Sequence, residues 1–156
     1  LIEAGQVVFG QVFDPVRDEC FTTLHKQSAK LNGQTLNLEP TGLTMQDCTA
    51  VVDLKRLDQA LATRLATKSP YASQRSFGSV ALDWCWLAAG RGQLYLHGKQ
   101  RIWDYAAGQF IFQKAGGFSS TLEGEALYDY SLQPRAAVAA IEVSLFDAWY
   151  AWIVAT

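Results

Sequence analysis

The sequence has few side chains that bind transition metals, and it lacks the spacings that hold zinc. Its 156 residues include three cysteines and two histidines, and no two cysteines form a C-x-x-C pair. An odd number of widely separated cysteines also argues against a disulfide framework and favours a reducing compartment. Any bound metal is therefore expected to be held by oxygen ligands.

Long apolar runs and an excess of positive charge are also missing. No run reaches the roughly 18 residues that a membrane span needs, and no charged segment followed by an apolar one opens the chain. With 13 Lys and Arg against 15 Asp and Glu, the formal net charge is −2. We therefore expect a cytoplasmic protein that binds neither membrane nor nucleic acid.

The composition does supply enough apolar material for one full core, since 49% of the residues are hydrophobic and 18% are charged. The first third is rich in β-formers. Residues 6–13 and 20–24 flank the turn signal Asp14-Pro15 and are predicted to form a hairpin. Asn32-Gly33 predicts a second hairpin, because both central positions of a type I′ turn need positive φ.

From Thr49 onward the pattern alternates between strands and helices. An apolar stripe of Leu54, Leu57, Leu61 and Leu65 predicts a helix capped by Asp53. Strands are predicted over residues 71–74, 93–96, 118–121 and 136–141, and helices over 79–89 and 104–115. The alternation predicts an α/β fold, with a layered mixed β-sheet flanked by helices.

A last helix is predicted near the C-terminus. The S-x-x-D spacing of Ser144 and Asp147 resembles a capping box. The predicted buried face of this helix consists of Phe146, Trp149, Tyr150 and Ile153.

Asp104 opens a long apolar helical segment, WDYAAGQFIFQKAGG from Trp103 to Gly117. Such an Asp commonly caps its helix and complements the positive end of the helix dipole. The same carboxylate could instead point away from the helix and ligate a hard cation. Spacing alone does not choose between these interpretations.

The other apolar helix begins at Gly78-Ser79. Free N–H groups in its first turn suit a phosphate or a sugar hydroxyl, and Gly78 lets a ligand approach the backbone. An ordinary N-cap role for Ser79 is the plainer interpretation. Arg75 and His97 precede the two helices and could reach the same place, although a solvated Arg and a loop His need no function.

Four segments together resemble the C-terminal half of the inositol monophosphatase family: RSFGSVAL (75–82), LAAGR (87–91), WDYAAG (103–108) and AGG (115–117). The W-D-x-A-A-G pattern followed seven residues later by A-G-G looks like the second signature of that family. The resemblance implies the C-terminal subdomain of a sugar-phosphatase-like αβαβα fold. It also implies Mg²⁺-dependent hydrolysis of phosphate monoesters of small polyols, sugars or nucleotides.

The resemblance assigns roles to residues that match the family pattern. Asp104 corresponds to the catalytic metal carboxylate of this half. Gly78, Ser79 and Val80 match the helix start that meets the substrate, and Arg75 matches the arginine beside it.

Three more positions concern substrate choice. His97 stands where inositol-preferring members place a glutamate that binds a substrate hydroxyl, so inositol phosphate itself is in doubt. Lys55 and Arg56 lie where the family varies with substrate, which makes them candidates for binding a second anionic group.

The first family signature, D-P-x-D-G-T, and the glutamate before it are absent and are expected upstream of Leu1. Residues 1–156 are therefore predicted to be the substrate-side half of the domain. One carboxylate cannot order a metal-assisted reaction, so this half is expected to be inactive alone. The resemblance also implies a homodimer, since members of the family are usually dimers. The alternative is a non-catalytic binding or assembly module that keeps the phosphatase fold.

Overall fold

The computed structural model describes residues 1–155, which form two β-sheets, a short β-ribbon and four α-helices. The ribbon consists of β1 (Ile2–Glu3) and β2 (Gln6–Val7). An antiparallel sheet follows, made of β3 (Phe9–Asp14), β4 (Glu19–Leu24), β5 (Lys30–Leu31) and β6 (Gln34–Thr35). The remaining elements are β7 (Thr49–Asp53), α1 (Gln59–Thr67), β8 (Ser73–Arg75), α2 (Val80–Ala88), β9 (Leu94–Gln100), α3 (Ile102–Lys114), β10 (Phe118–Ser120), β11 (Arg135–Ala140) and α4 (Val143–Val154).

Five of these strands form the second sheet, in the order β10-β11-β9-β7-β8. Strand β7 is parallel to both β8 and β9, whereas β11 is antiparallel to β9 and to β10. The sheet is therefore mixed and flanked by helices, which confirms the predicted fold class.

Helices α2 and α3 lie between the two sheets. Helix α3 packs against β3 and β4 on one side, and α2 packs against β9 on the other. The fully buried Trp84 ring lies 4.5 Å from the Tyr95 ring and 5.5 Å from the Phe112 ring, measured between centroids. The near-continuous apolar surface of α2 is thus explained by burial on several sides.

Helix α4 forms the next layer, against β9, β10 and β11. Its fully buried Trp149 donates a hydrogen bond from Nε1 to the Tyr95 carbonyl oxygen at 3.0 Å. Arg64 of α1 donates to the carbonyl oxygens of Trp152 and Ile153 at the end of α4. The order of layers is sheet, helices, sheet, helices, and within residues 1–155 no helix is both long and apolar enough to span a membrane.

Both predicted hairpins are present, but the first strand of the first hairpin begins at Phe9 and not at Gln6, because Gln6 and Val7 pair with the ribbon strand β1. Strands β3 and β4 pair from Phe9 opposite Leu24 to Asp14 opposite Glu19. At the second hairpin, Asn32 has φ of 47° and Gly33 has φ of 82°, as a turn with two positive φ values requires.

The prediction that a helix starts directly after Asp53 is wrong. Asp53 caps only a short 3₁₀ turn, Leu54–Arg56, by accepting a hydrogen bond from the Lys55 N–H at 3.1 Å. Helix α1 starts at Gln59, where Asp58 accepts from the Leu61 N–H at 2.9 Å. The leucine stripe thus contains two capping aspartates: Asp53 caps the 3₁₀ turn and Asp58 caps α1.

Two other helix starts differ from the prediction. Helix α3 begins at Ile102, so Asp104 lies inside its first turn. Helix α4 begins at Val143 after Glu142, and Ser144 donates to the Glu142 carboxylate at 3.2 Å, so the predicted capping box is wrong. The fully buried face of α4 is Leu145, Trp149 and Ile153, while Phe146 and Tyr150 are half-buried.

Candidate functional site

One cleft, with a volume of about 590 Å³, lies where the parallel strands β7, β8 and β9 end. Each strand is followed there by a turn or by the start of a helix. Strand β7 ends at Asp53, β8 leads to Ser79 at the start of α2, and β9 leads to Asp104 in the first turn of α3. The carboxyl ends of parallel strands are where open α/β sheets commonly bind ligands.

Most of the predicted site residues line this cleft: Arg56, Gly78, Ser79, Val80, His97 and Asp104. Arg75 and Lys55 are not in its lining. The exposed Arg75 guanidinium donates to Ser73 Oγ at 2.6 Å and to the Gln74 carbonyl oxygen at 2.7 Å, and Lys55 is exposed. The structure therefore brings Asp104 and the start of α2 together and leaves these two cations outside.

Asp104 both caps its helix and lies in the cleft. Its Oδ2 accepts a hydrogen bond from the Arg101 N–H at 2.9 Å, which holds the start of α3. The half-buried side chain also lines the cleft. Since capping occupies one oxygen, the carboxylate can still offer the other to a ligand.

The N-terminus of α2 is open toward the cleft. Ser79 is the N-cap residue, yet its hydroxyl makes no capping hydrogen bond, so it is available to a ligand. Gly78 has φ of +83°, which favours glycine, and there is open space where a Cβ would be. The unpaired N–H groups of the first turn of α2 can therefore be approached closely.

His97 and Asp53 form a pair because of strand register. They are opposite each other on parallel strands β9 and β7, so their side chains share one face. His97 Nε2 lies 3.5 Å from Asp53 Oδ2, and Nδ1 accepts a hydrogen bond from the Lys99 N–H at 3.2 Å. Burial lowers the pKa of His97, although the Asp53 carboxylate partly opposes this effect. The neutral imidazole thus carries its proton on Nε2, toward Asp53.

Asp83 is a cleft residue that the sequence analysis missed. The residue is 6% exposed, and within residues 1–155 its buried Oδ1 has no hydrogen-bond partner. Burial, and to a lesser extent the nearby Asp53 carboxylate, raises the pKa of Asp83 to about 7. The available signal was one carboxylate in an otherwise apolar helix, since Asp is almost never fully buried without a partner. Asp53, Lys99 and Arg101, which also line the cleft, were missed too.

The raised pKa of Asp83 makes stability depend on pH. The folded state holds this proton up to about pH 7, whereas an unfolded Asp loses it near pH 4. Stability should therefore fall as pH rises between those values and stay level above them. The upper limit of this loss is about 4 kcal/mol, because one pKa unit corresponds to about 1.4 kcal/mol.

Urea unfolding at about pH 5 and about pH 8 checks this prediction. Asp83→Asn should gain stability relative to the parent at the higher pH, because it cannot ionise. The exposed Asp147 provides the control variant, Asp147→Asn, which should follow the parent at both values. An equal loss of stability in Asp83→Asn and the parent would contradict the prediction.

The oxygen ligands of the cleft suit Mg²⁺ but do not complete a site. Asp104, Asp53 and Asp83 offer carboxylates, which hard cations prefer. Within residues 1–155, however, no group of three or more His, Cys, Asp or Glu side chains is arranged to hold a metal ion. Proteins often bind Mg²⁺ through one or two carboxylates with phosphate and water. Asp104 fits the role of one such ligand, and the other ligands would have to come from elsewhere.

The chain is similar in sequence and in fold to known proteins. The chain is 34% identical over 126 residues to Nus factor SuhB of Pasteurella multocida and 32% identical over 130 residues to inositol-1-monophosphatase of Bacillus subtilis. These alignments cover 77% and 80% of the chain but 46% and 48% of the relatives, so the chain spans about half their length.

A solved IMPase/NADP phosphatase, complexed with Mg²⁺ and phosphate, has the same fold. It superposes with a TM-score of 0.81 at 20% identity, over 98% of this chain and 56% of that one. The model of the inositol monophosphatase family matches residues 1–153. Because that model matches nearly the whole length, the chain belongs to the inositol monophosphatase family.

Proposed function

We propose that the complete protein hydrolyses a small phosphate monoester to an alcohol and phosphate with the help of Mg²⁺, and that this chain supplies the substrate side of the site. The observation that carries the proposal is that Asp104 and the open N-terminus of α2 share one cleft. Family membership supports it, as does the fold neighbour that was solved with Mg²⁺ and phosphate.

Each cleft residue has a physical task in this reaction. The Asp104 carboxylate would hold Mg²⁺, which, when bound, supplies an activated water and neutralises charge on the ester. The Ser79 hydroxyl and the first N–H groups of α2 would donate to the phosphate oxygens. Arg56, Lys99 and Arg101 line the same cleft and would attract an anionic substrate.

Phosphate release from polyol, sugar and nucleotide monophosphates tests the proposal. We expect the complete polypeptide to release phosphate from at least one class with Mg²⁺ and to stop when a chelator is added. The isolated 156-residue chain is expected to be inactive, because Asp104 would lack the partner ligands of the metal. Absence of Mg²⁺-dependent release by the complete polypeptide from every substrate would contradict the proposal. The homodimer and the cytoplasmic location that the sequence analysis predicts remain predictions.

A non-catalytic assembly module is the second candidate function. One relative with 34% identity is named as a Nus factor, which is the observation that favours it. The coding sequence upstream of Leu1 separates the two candidates. A gene without D-P-x-D-G-T would favour the assembly module, whereas its presence would favour the hydrolase.

A further inference from the structure

Asp83 stands out in the cleft because no group within residues 1–155 forms a hydrogen bond with its buried oxygen. The residue lies in the first turn of α2 and lines the cleft, yet in the part of the chain that the structure describes its Oδ1 has no hydrogen-bond partner. Leaving a buried polar group unpaired costs free energy, so such a group calls for an explanation. A donor that arrives with a ligand would provide one.

Two nearby donors are already engaged with another side chain. Trp84 Nε1 donates to Gln100 Oε1 at 3.1 Å, and the Tyr95 hydroxyl contacts the same oxygen at 3.4 Å. The Nε2 proton of His97 faces Asp53. No donor within the described residues pairs with Asp83 Oδ1, so this oxygen can accept a hydrogen bond from a ligand.

His97 cannot accept a hydrogen bond from a substrate hydroxyl. Its Nδ1 already accepts from the Lys99 N–H, and its Nε2 is the nitrogen that carries the proton. In this cleft the acceptor for the alcohol part of a substrate must therefore be another group. Asp83 meets the requirement, because rotation about the bond to its carboxyl group lets either oxygen turn toward the cleft.

We propose that Asp83 is a specificity residue that accepts a hydrogen bond from a hydroxyl group of the alcohol being released. This inference rests on the proposed function. The substrate is then a phosphorylated polyol with a free hydroxyl beyond the ester position. A cationic ligand group fits less well, because Arg56, Lys99 and Arg101 line the same cleft. A hydroxyl donates a hydrogen bond without adding charge.

The test compares myo-inositol monophosphate with its monodeoxy analogues as substrates of the complete polypeptide. Removal of the hydroxyl that meets Asp83 should lower kcat/KM by roughly a hundredfold or more, because a site built for a hydroxyl leaves its own polar group unpaired without it. In Asp83→Leu, kcat/KM for myo-inositol monophosphate and for that analogue should differ by no more than about threefold. The ratios of kcat/KM for the analogues that lack another hydroxyl should be unchanged. The control Asp147→Leu, on the exposed side of α4, should keep every ratio.

Each other outcome overturns the inference. These outcomes are equal kcat/KM for all analogues in the parent, an unchanged ratio in Asp83→Leu, and an equal loss for every substrate in that variant. If thermal unfolding shows that Asp83→Leu does not fold, Asp83→Asn is judged by the same ratio. It keeps one acceptor oxygen and should show a partial loss of discrimination.

A binding measurement separates this inference from the proposed function. If the complete polypeptide releases no phosphate from the inositol monophosphates, binding of free myo-inositol and its monodeoxy analogues is measured by calorimetry. The hydrolase proposal itself fails only if sugar and nucleotide monophosphates are not hydrolysed either. Tighter binding of myo-inositol by the parent but not by the Asp83 variants would support the role of Asp83 without turnover. Equal binding of all these compounds, or no binding, would overturn it.

Discussion

Asp104→Asn is expected to lower Mg²⁺-dependent phosphate release by about a hundredfold to a thousandfold, a loss typical for removal of one electrostatic contact to the reacting group. The substitution removes the negative charge that the metal ion needs. It keeps an oxygen that can accept from the Arg101 N–H, the bond that holds the start of α3. The loss should therefore appear in catalysis and not in folding.

Steady-state kinetics and thermal unfolding of the complete polypeptide check both parts of this expectation. Stability should change by less than about 1 kcal/mol, because the capping bond is kept. Asp147→Asn is the matched control, since Asp147 is exposed on α4 and lines no part of the cleft. Unchanged kcat/KM in Asp104→Asn would remove Asp104 from the reaction.

Gly98→Ala is expected to destabilise the protein by about 3 kcal/mol or more, at the upper end of the range for overpacking. A Cβ at Gly98 would lie 1.8 Å from the Arg56 carbonyl oxygen and 2.4 Å from its carbonyl carbon. These are backbone atoms, so β9 and the turn over 54–56 would have to separate. That turn follows Asp53, and the displacement should also break the Asp53–His97 pair.

Urea unfolding of Gly98→Ala beside Gly33→Ala separates collision from backbone strain. Gly33 has φ of +82° and open space around the position of a Cβ. Alanine there meets only the left-handed backbone penalty of about 1–2 kcal/mol. A loss for Gly98→Ala no larger than that for Gly33→Ala would show that β9 and the turn can separate at little cost.

Local signals were sufficient for much of the fold. Asn32-Gly33 predicted a hairpin because few other dipeptides accept two positive φ values, and the structure has that turn. The alternation of strands and helices after Thr49 predicted a mixed, layered sheet, which the structure confirms. Short-range geometry determines such features, so they can be read from neighbouring residues.

Helix starts were less predictable, because several residues compete for each cap. Asp53 and Asp58 precede the same leucine stripe, and only the structure shows that each caps a different segment. Ser144 has the spacing of a capping box, but α4 already begins at Val143. Spacing identifies the candidates, whereas packing against the sheet selects among them.

The polar contents of the cleft depend on long-range pairing that local spacing does not reveal. Asp53 meets His97 because β7 and β9 are parallel neighbours in one specific register. Asp83 looks like an ordinary helix residue until α2 is placed between two sheets. Arg75 shows the reverse, since a cation near the right helix in sequence is held away from the cleft by Ser73 and Gln74.

The position of a bound metal ion tests the central claim most directly. Crystals of the complete polypeptide soaked with Mn²⁺ and phosphate would locate the ion by its anomalous scattering. The account predicts a peak in the cleft within about 2.2 Å of an Asp104 oxygen, with phosphate near the Ser79 hydroxyl. A cleft without such a peak, or an ion bound in it away from Asp104, would contradict the account.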